Sequence, residues 1–461
     1  MDVQMWLESP KTIQKSKKSY AHFDYRIDIR KAAKFIQNSS NIVSYGFYPF
    51  IHYTMEMNKY NKKTGKKVKK REICYAAHMD RCIYQYYSFI LNTYYNQKIR
   101  EYGIEKIPVA YRTDLKDSNI QSAKKAFDFI RKNPKSYVMI GDFTNFFDNL
   151  DHQYLKERWC DLLNVKKLPD DHYAVFKNIT RYSKWELYDL LKLNGLSRSK
   201  RDIKTLNKKA TVLSKEQYKL NKHCIVKNKL SYGIPQGSPI SAALANIYMI
   251  EADRKIDNIV KQHDGFYMRY SDDFIIVLPE QDGYRIFEKI INILKTIPNL
   301  QLENRKTQFF AVKLPVIMNI SKSFADDADS SQKQINFLGF SFDGNKVHLR
   351  AKTVGKYYYR MNRKAKAISA NKALVGADNL YMKYSERGAS GKKGNFFTYV
   401  GRAENEFGAD EMIRFELKNH MSKIRKILKK DNCKKNKKTI NNIIENENIF
   451  SDFHGLNEFE K

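Results

Sequence analysis

At 461 residues with 42% hydrophobic and 13% aromatic side chains, the chain has ample apolar surface for a buried core, which excludes a disordered polypeptide. Its 84 Lys and Arg against 50 Asp and Glu leave a formal charge of +34. Such an excess repels itself in a compact chain and suits a polyanionic partner, so nucleic acid leads over a membrane surface.

In chain order, residues 1–45 are mixed and basic, without the charged-then-apolar layout of a secretory leader. No apolar run approaches membrane-spanning length. Five cysteines (Cys74, Cys82, Cys160, Cys224, Cys433) form no C-x-x-C pair, which argues against a disulfide framework and a zinc site and for the cytoplasm. A helix is predicted over 29–37. Phe50-Ile51-His52-Tyr53-Thr54-Met55 reads as a strand, Asn61-Lys62-Lys63-Thr64-Gly65 as a turn, and 66–75 as the returning, lysine-rich strand of a hairpin. Asp80-Arg81 opens a helix over 82–100, dense in rings at Tyr84, Tyr86, Tyr87, Phe89, Tyr94 and Tyr95. Helical spacing makes those rings core rather than stacking platforms. A second helix over 118–132 carries Ile120, Ala123, Ala126, Phe127 and Ile130 on one face.

Val138-Met139-Ile140-Gly141-Asp142-Phe143 is a short apolar strand ending in a carboxylate, followed by Thr144-Asn145-Phe146-Phe147-Asp148 and a helix from about Tyr154. Residues 192–229 are strongly basic and poor in apolar side chains, the pattern of a mobile insertion. Tyr232-Gly233-Ile234-Pro235-Gln236-Gly237-Ser238-Pro239 is a loop punctuated by Gly and Pro that runs into an apolar helix over 240–250. Apolar runs at 266–270 and 274–278 flank Tyr270-Ser271-Asp272-Asp273, two strands of a hairpin with adjacent carboxylates at its tip. Neighbouring like charges on a rigid hairpin repel unless a cation neutralises them. A helix over 283–297, an acidic loop at 326–331 and a tight hairpin at 335–340, bending at Gly339, follow. Beyond about 345 the chain reads as basic helices, with a dense Lys/Arg run at 423–438.

In this order, the stretches around Asp142, Gln236 and Asp272 resemble motifs A, B and C of reverse transcriptases. The group II intron, retron and bacterial defence branch is the most similar part of that family. The resemblance runs from about Phe50 to Phe342. It implies an α+β right-hand polymerase with an antiparallel palm sheet. The divisions are an N-terminal extension at 1–45, fingers at 46–135, palm at 136–344 with the 192–229 insertion between motifs A and B, and a helical basic thumb at 345–461. The implied activity is RNA-directed DNA polymerisation with two Mg²⁺ ions on Asp142 and Asp272, with Asp273 more peripheral. Lys306, in a segment similar to motif D, is the candidate general acid or a plain positive charge. The nucleotide-binding set is Arg71, Arg112, Phe143, Phe147 and Gln236.

Each assignment has a plainer alternative. Arg71 would grip the triphosphate, with a lysine near Lys66 or Lys67 assisting, whereas the rest of that tip is solvated charge. Arg112 contacts template or nucleotide, or is a structural ion pair. Phe147 bars a 2′-hydroxyl, or is core. Asp148 lies within motif A but is expected to cap the following helix. Expected partners are a template RNA, a dedicated non-coding one, a DNA product or RNA–DNA hybrid, and dNTPs; no membrane is expected, and a homo-oligomer is left open. No maturase region, nuclease with paired Cys or His, or late Val-Thr-Gly signature is seen. That favours the defence-associated (abortive-infection and unknown-group) enzymes over group II intron or retron ones. An RNA-dependent RNA polymerase is opposed by Pro-Gln-Gly, Tyr-Ser-Asp-Asp and Phe147. A non-catalytic, maturase-like RNA binder is opposed by the intact carboxylates.

Overall fold

A computed structural model describes residues 3–9, 12–13, 18–61, 65–112, 114–115, 117–279, 283–370, 377–388 and 395–430 of this mixed α/β chain. It divides into two units, the first made of Met1–Lys116, Ser136–Phe310 and Ile320–Ser330, the second of Asp117–Lys135, Ala311–Asn319 and Ser331–Lys461.

The first unit has two sheets. In the one that carries the carboxylates, β6 (Phe266–Tyr270), β7 (Asp273–Pro279), β3 (Lys135–Asp142) and β8 (Gln308–Lys313) lie side by side in that order. β7 and β3 are central, and their stretches 138–141 and 274–278 are buried without a break, which is why they read as continuous apolar runs rather than alternating ones. Ile247, Ile250 and Ile256 of the helix Ser241–Gln262 join Met139, Phe274 and Ile276 in one core with Ile286, Phe287 and Ile290 of the helix Gly283–Lys295. The pairing of β3 with β7 is antiparallel and sets Ile140 opposite Ile275, Gly141 opposite Phe274, and Asp142 opposite Asp273. A Cβ at 141 would lie 2.1 Å from the Phe274 ring, so any larger residue there would have to displace that buried ring. Tyr84, Tyr86, Tyr87 and Tyr95 of the helix His78–Glu101 are buried, as their spacing predicts, whereas Phe89 is only half-buried and Tyr94, also expected in the core, is exposed.

The second sheet has the order β2-β1-β4-β5, with β1 at Phe50–Asn61, β2 at Gly65–Tyr75, β4 at Ser183–Glu186 and β5 at Val226–Lys227. The hairpin tip at 62–64 and the side chains of Lys66 and Lys67 lie outside the described residues. The 192–229 segment differs from its sequence reading. It forms the helices Lys200–Lys208 and Lys215–Leu220, capped by the Ser199 and Ser214 hydroxyls. Leu206, Val212 and Leu213 are buried in one cluster with Ala21, Phe23, Ile51 and Trp185. Its few apolar residues suffice because their partners come from distant parts of the chain.

In the second unit, β8 runs on to β9 (Val316–Asn319), and β10 (Ile335–Phe337), β11 (Phe340–Phe342) and β12 (Val347–Leu349) form a meander. The hairpin predicted to bend at Gly339 is the β10–β11 pair. The helix Asn119–Lys132, assigned by sequence to 46–135, groups here. Its Phe127 ring lies 5.6 Å from Phe342, and Phe340 lies 4.9 Å from Phe407 of the helix Phe396–Phe407. The helices Ala351–Ala370, Ala377–Tyr384 and His420–Lys430 complete the described part. Of the basic run at 423–438, the positions from 431 onward lie outside the described residues. Among the described residues no helix is long and apolar enough to cross a membrane.

Candidate active site

The site forms where β3 ends beside the β6–β7 turn. Tyr270 pairs with Asp273, so Ser271 and Asp272 alone make the turn, and the second strand begins at Asp273, one residue earlier than the apolar run suggested. Asp142 ends β3 directly opposite Asp273. Asp272 lies close enough for its carboxyl to be raised above the usual carboxylate range, first by burial and then by the Asp142 charge, with Lys306 opposing.

Lys306 comes to the same place through its backbone. The Thr144 N–H donates to the Gln301 carbonyl at 2.9 Å, and the Glu303 N–H donates to the Asp142 carbonyl at 2.8 Å. Phe143 forms a bridge with Leu302 in the same run. The 301–303 segment thus extends the end of β3, and the Lys306 ammonium donates to Asp142 Oδ2. A cation already sits on the carboxylate, which is the chemistry a divalent ion would exploit more strongly.

The loop around Gln236 meets the turn that follows β3. Gln236 Nε2 donates to both Asp148 oxygens at 3.2 Å, and burial raises the Asp148 carboxyl. Asp148 is therefore not the helix cap expected of it. Asp151 fills that place, accepting from the Tyr154 N–H at 2.9 Å ahead of the helix His152–Leu163. Phe147 is half-buried at the edge of the core, edge-on to Phe146. Its carbonyl accepts from the Ile234 N–H at 2.9 Å. Phe143, grouped by sequence with the nucleotide-binding residues, is only 2% exposed and packs against Phe146 and Phe274.

The two arginines part company. Arg71 is exposed on β2 and shares a strand face with Ile73, whose side chain would be 3.6 Å from a Cβ at Gly237. Cys74, next along, donates its N–H to the Gln236 carbonyl at 2.8 Å, so β2 and the Gln236 loop are locked together. Arg112 takes the structural alternative. Its Nε and Nη2 donate to Asp114 at 3.0 and 2.5 Å, and Nη1 donates to the Glu105 carbonyl.

One feature escaped the sequence reading. Arg269, inside the apolar run Phe-Tyr-Met-Arg-Tyr, is fully buried against Asp253, which lies on the buried side of the helix Ser241–Gln262. Opposite charges at two positions that pattern alone would bury were the available signal, because buried charges are normally paired.

Among the described residues no group of three or more His, Cys, Asp or Glu side chains converges as a metal cage. A hard divalent cation that keeps several waters and takes substrate phosphate oxygens needs only one or two protein carboxylates. Asp142 at the end of β3 and Asp272 in the β6–β7 turn, with Lys306 beside Asp142, are such a donor set.

Two carboxylates and a lysine at one sheet end form a donor set suited to phosphate chemistry with a divalent cation. Residues 185–342 match a family model described as "Reverse transcriptase (RNA-dependent DNA polymerase)". The chain carries a reverse transcriptase domain, the domain of RNA-directed DNA polymerases, whose members use divalent metals. The match includes Gln236, Asp272, Asp273 and Lys306; Asp142 and Phe147 precede it and join the site through the register of β3 with β7 and the 301–303 contact. No curated protein matches the chain. Solved structures similar to it include Candida albicans telomerase with a TWJ fragment of telomeric RNA, at 14% identity and TM-score 0.38 over 87% of this chain and 65% of that one. Apo telomerase of Candida tropicalis matches at 14% identity and TM-score 0.39, over 84% and 62%. Its form truncated from the C-terminal domain matches at 14% and 0.36, over 64% and 55%. The chain thus spans 55 to 65% of these telomerase chains, and scores this low are too loose to decide fold or function.

Proposed function

We propose that this protein is a reverse transcriptase that copies a bound RNA, a dedicated non-coding one, into DNA from dNTPs, using two Mg²⁺ ions. The observation that carries this reading is the convergence of Asp142, Asp272 and Lys306 at one sheet end inside a chain with a reverse transcriptase domain. Asp142 and Asp272 would hold the cations, with Asp273 at the periphery. When bound, the metals neutralise triphosphate charge and acidify the attacking 3′-hydroxyl. The protein's own part is alignment and charge. Lys306 keeps a positive charge beside Asp142, where the leaving pyrophosphate develops negative charge. Arg71 reaches toward the triphosphate from β2, its donor fork suited to phosphate oxygens. Gln236, steadied by Asp148, offers an amide edge against the nascent base pair. In right-hand terms the β1–β2 hairpin would be fingers, the β6-β7-β3-β8 sheet palm and the C-terminal helices thumb. The setting that best fits the motifs is cytoplasmic antiphage defence, ahead of group II intron or retron function.

The direct test is dTTP incorporation by the full chain on poly(rA) primed with oligo(dT), with Mg²⁺ and with EDTA. Chelator-sensitive extension supports the reading; no extension with either Mg²⁺ or Mn²⁺ would falsify it.

Sugar choice supplies a second expectation. Phe147→Ala removes bulk that would face a 2′-hydroxyl, so use of rNTPs relative to dNTPs should rise by roughly 10–100-fold. An unchanged ratio in a folded variant assigns Phe147 to the core.

RNA affinity should also depend on the folded 192–229 segment, which has twelve Lys and Arg against two acidic residues. Lys200, Lys204 and Lys208 recur every four residues on the exposed face of their helix. Changing all three to Gln should flatten the log-affinity against log-salt slope by about 0.7–0.9 for each phosphate that is no longer neutralised. Thermal stability should hardly move. A wild-type slope would leave these lysines as solvated charge.

A further inference from the structure

Arg269 and Asp253 are both 0% exposed. Arg269 Nε donates to Asp253 Oδ1 at 2.8 Å and Nη2 to Oδ2 at 2.6 Å, the two-pronged match of guanidinium to carboxylate. The Tyr267 hydroxyl donates to the same Oδ1 at 2.7 Å. The third nitrogen, Nη1, donates to the Ser271 carbonyl at 2.9 Å, with Asn246 Oδ1 at 3.3 Å. The arginine backbone is tied as well: its N–H donates to the Ile107 carbonyl at 2.9 Å, and its carbonyl accepts from the Val109 N–H at 3.0 Å.

The residue it reaches is unusual. Ser271 has φ +63°, a left-handed backbone that residues other than Gly, Asn and Asp seldom adopt. Its hydroxyl donates to the Tyr111 hydroxyl at 3.2 Å, and Tyr111 has φ +63° too. Conformations of this kind persist only where surrounding structure over-determines them. A buried ion pair is also a poor choice for stability alone, since apolar side chains of similar volume often do as well or better. What apolar side chains cannot supply is a donor to the carbonyl that precedes Asp272.

We propose that Arg269, clamped by Asp253, is a positioning residue that fixes the Ser271-Asp272 turn and thereby aims the Asp272 carboxylate for divalent-cation binding. The inference rests on the reverse transcriptase reading only for what the cation is used for; the turn geometry and cation affinity can be read without any nucleotide chemistry.

The test uses the full chain without nucleic acid and Mn²⁺ as the probe, its free concentration followed by electron paramagnetic resonance. Asp272→Asn defines the Mn²⁺ binding that belongs to this site. Arg269→Lys keeps the charge but loses the fork. Arg269→Met combined with Asp253→Leu refills the space and removes the Ser271 donor. Both should fold, and both should weaken Asp272-dependent Mn²⁺ binding by about 10–100-fold, the range for lost supports of a metal ligand. Tyr267→Phe removes one hydrogen bond to Asp253 and none to Ser271, so it should shift the melting point without changing Mn²⁺ affinity. On poly(rA)/oligo(dT), the Mg²⁺ concentration for half-maximal extension should rise for the first two variants and not for the third. Mn²⁺ binding as expected with no extension by the wild type sinks the polymerase reading and leaves this one standing. Wild-type Mn²⁺ affinity in the folded double variant overturns the proposal. So does failure of both variants to fold, which would make the pair a stability device, or absence of Asp272-dependent binding in the wild type.

Discussion

Asp272→Asn is expected to reduce dNTP incorporation by at least roughly 10²–10³-fold while leaving RNA binding and folding intact. Asparagine keeps the carboxyl's volume and shape, so the turn held through the Ser271 carbonyl should persist. What disappears is a negative charge that the fold itself opposes. Burial and the neighbouring Asp142 both push the Asp272 carboxyl toward its neutral form, so the ionised side chain is a burden on the folded chain unless a cation is present. Removing that charge should leave the metal-free melting temperature unchanged or slightly higher. RNA affinity, which rests on Lys and Arg against phosphate, should be unchanged or slightly stronger. Loss of synthesis with gain of stability separates a metal ligand from a structural carboxylate. Synthesis at the wild-type rate, or a loss that merely follows a lower melting point, would remove Asp272 from the catalytic set.

The parts legible in the sequence were those encoded locally. The runs leading to Asp142 and on either side of Asp272 are apolar and β-prone, and their order around the Gln236 loop carries a resemblance that spacing alone could not. Local pattern also gave the buried tyrosines of the helix His78–Glu101. It failed where a residue's partner lies far along the chain. Leu206, Val212 and Leu213 look sparse among lysines until Phe23, Ile51 and Trp185 come to meet them. Asp148 and Asp151 are both plausible caps by composition; only the fold assigns the cap to Asp151 and gives Asp148 to Gln236, 88 residues away. Phe143 and Phe147 are both rings following Asp142, yet Phe143 continues β3 into the core through its bridge with Leu302, whereas Phe147 lies on the short 3-10 helix Phe146–Asn149 and is only half-buried. Arg269 was passed over because a strand pattern records apolar and polar positions, and a single charge in a buried strand has meaning only once its counterion on another element is known.

Gly237→Ala should be the most disruptive small change in the Gln236 loop. Gly237 has φ +113°, outside the region an alanine adopts, and a Cβ there would sit 2.4 Å from the Cys74 carbonyl oxygen. That oxygen belongs to the β2 backbone, so no side-chain rotation can relieve the overlap. Either the loop or β2 must move, and the 2.8 Å bond from the Cys74 N–H to the Gln236 carbonyl breaks as it does. Backbone strain of this kind costs of order 1–3 kcal/mol. The lost hydrogen bond adds about 1 kcal/mol. Two consequences follow from the same displacement. Gln236 would leave Asp148, so the Michaelis constant for dNTP should rise along with a fall in melting temperature. Cys74, buried beneath the loop in the wild type, would become accessible. Peptide-resolved mass spectrometry after brief iodoacetamide treatment under native conditions should then show faster labelling of Cys74, with Cys82 and Cys160 still protected. Slow Cys74 labelling together with a wild-type melting point would mean that the loop accommodates the methyl group, and that the close approach of Gly237 to β2 does not hold Gln236 in place.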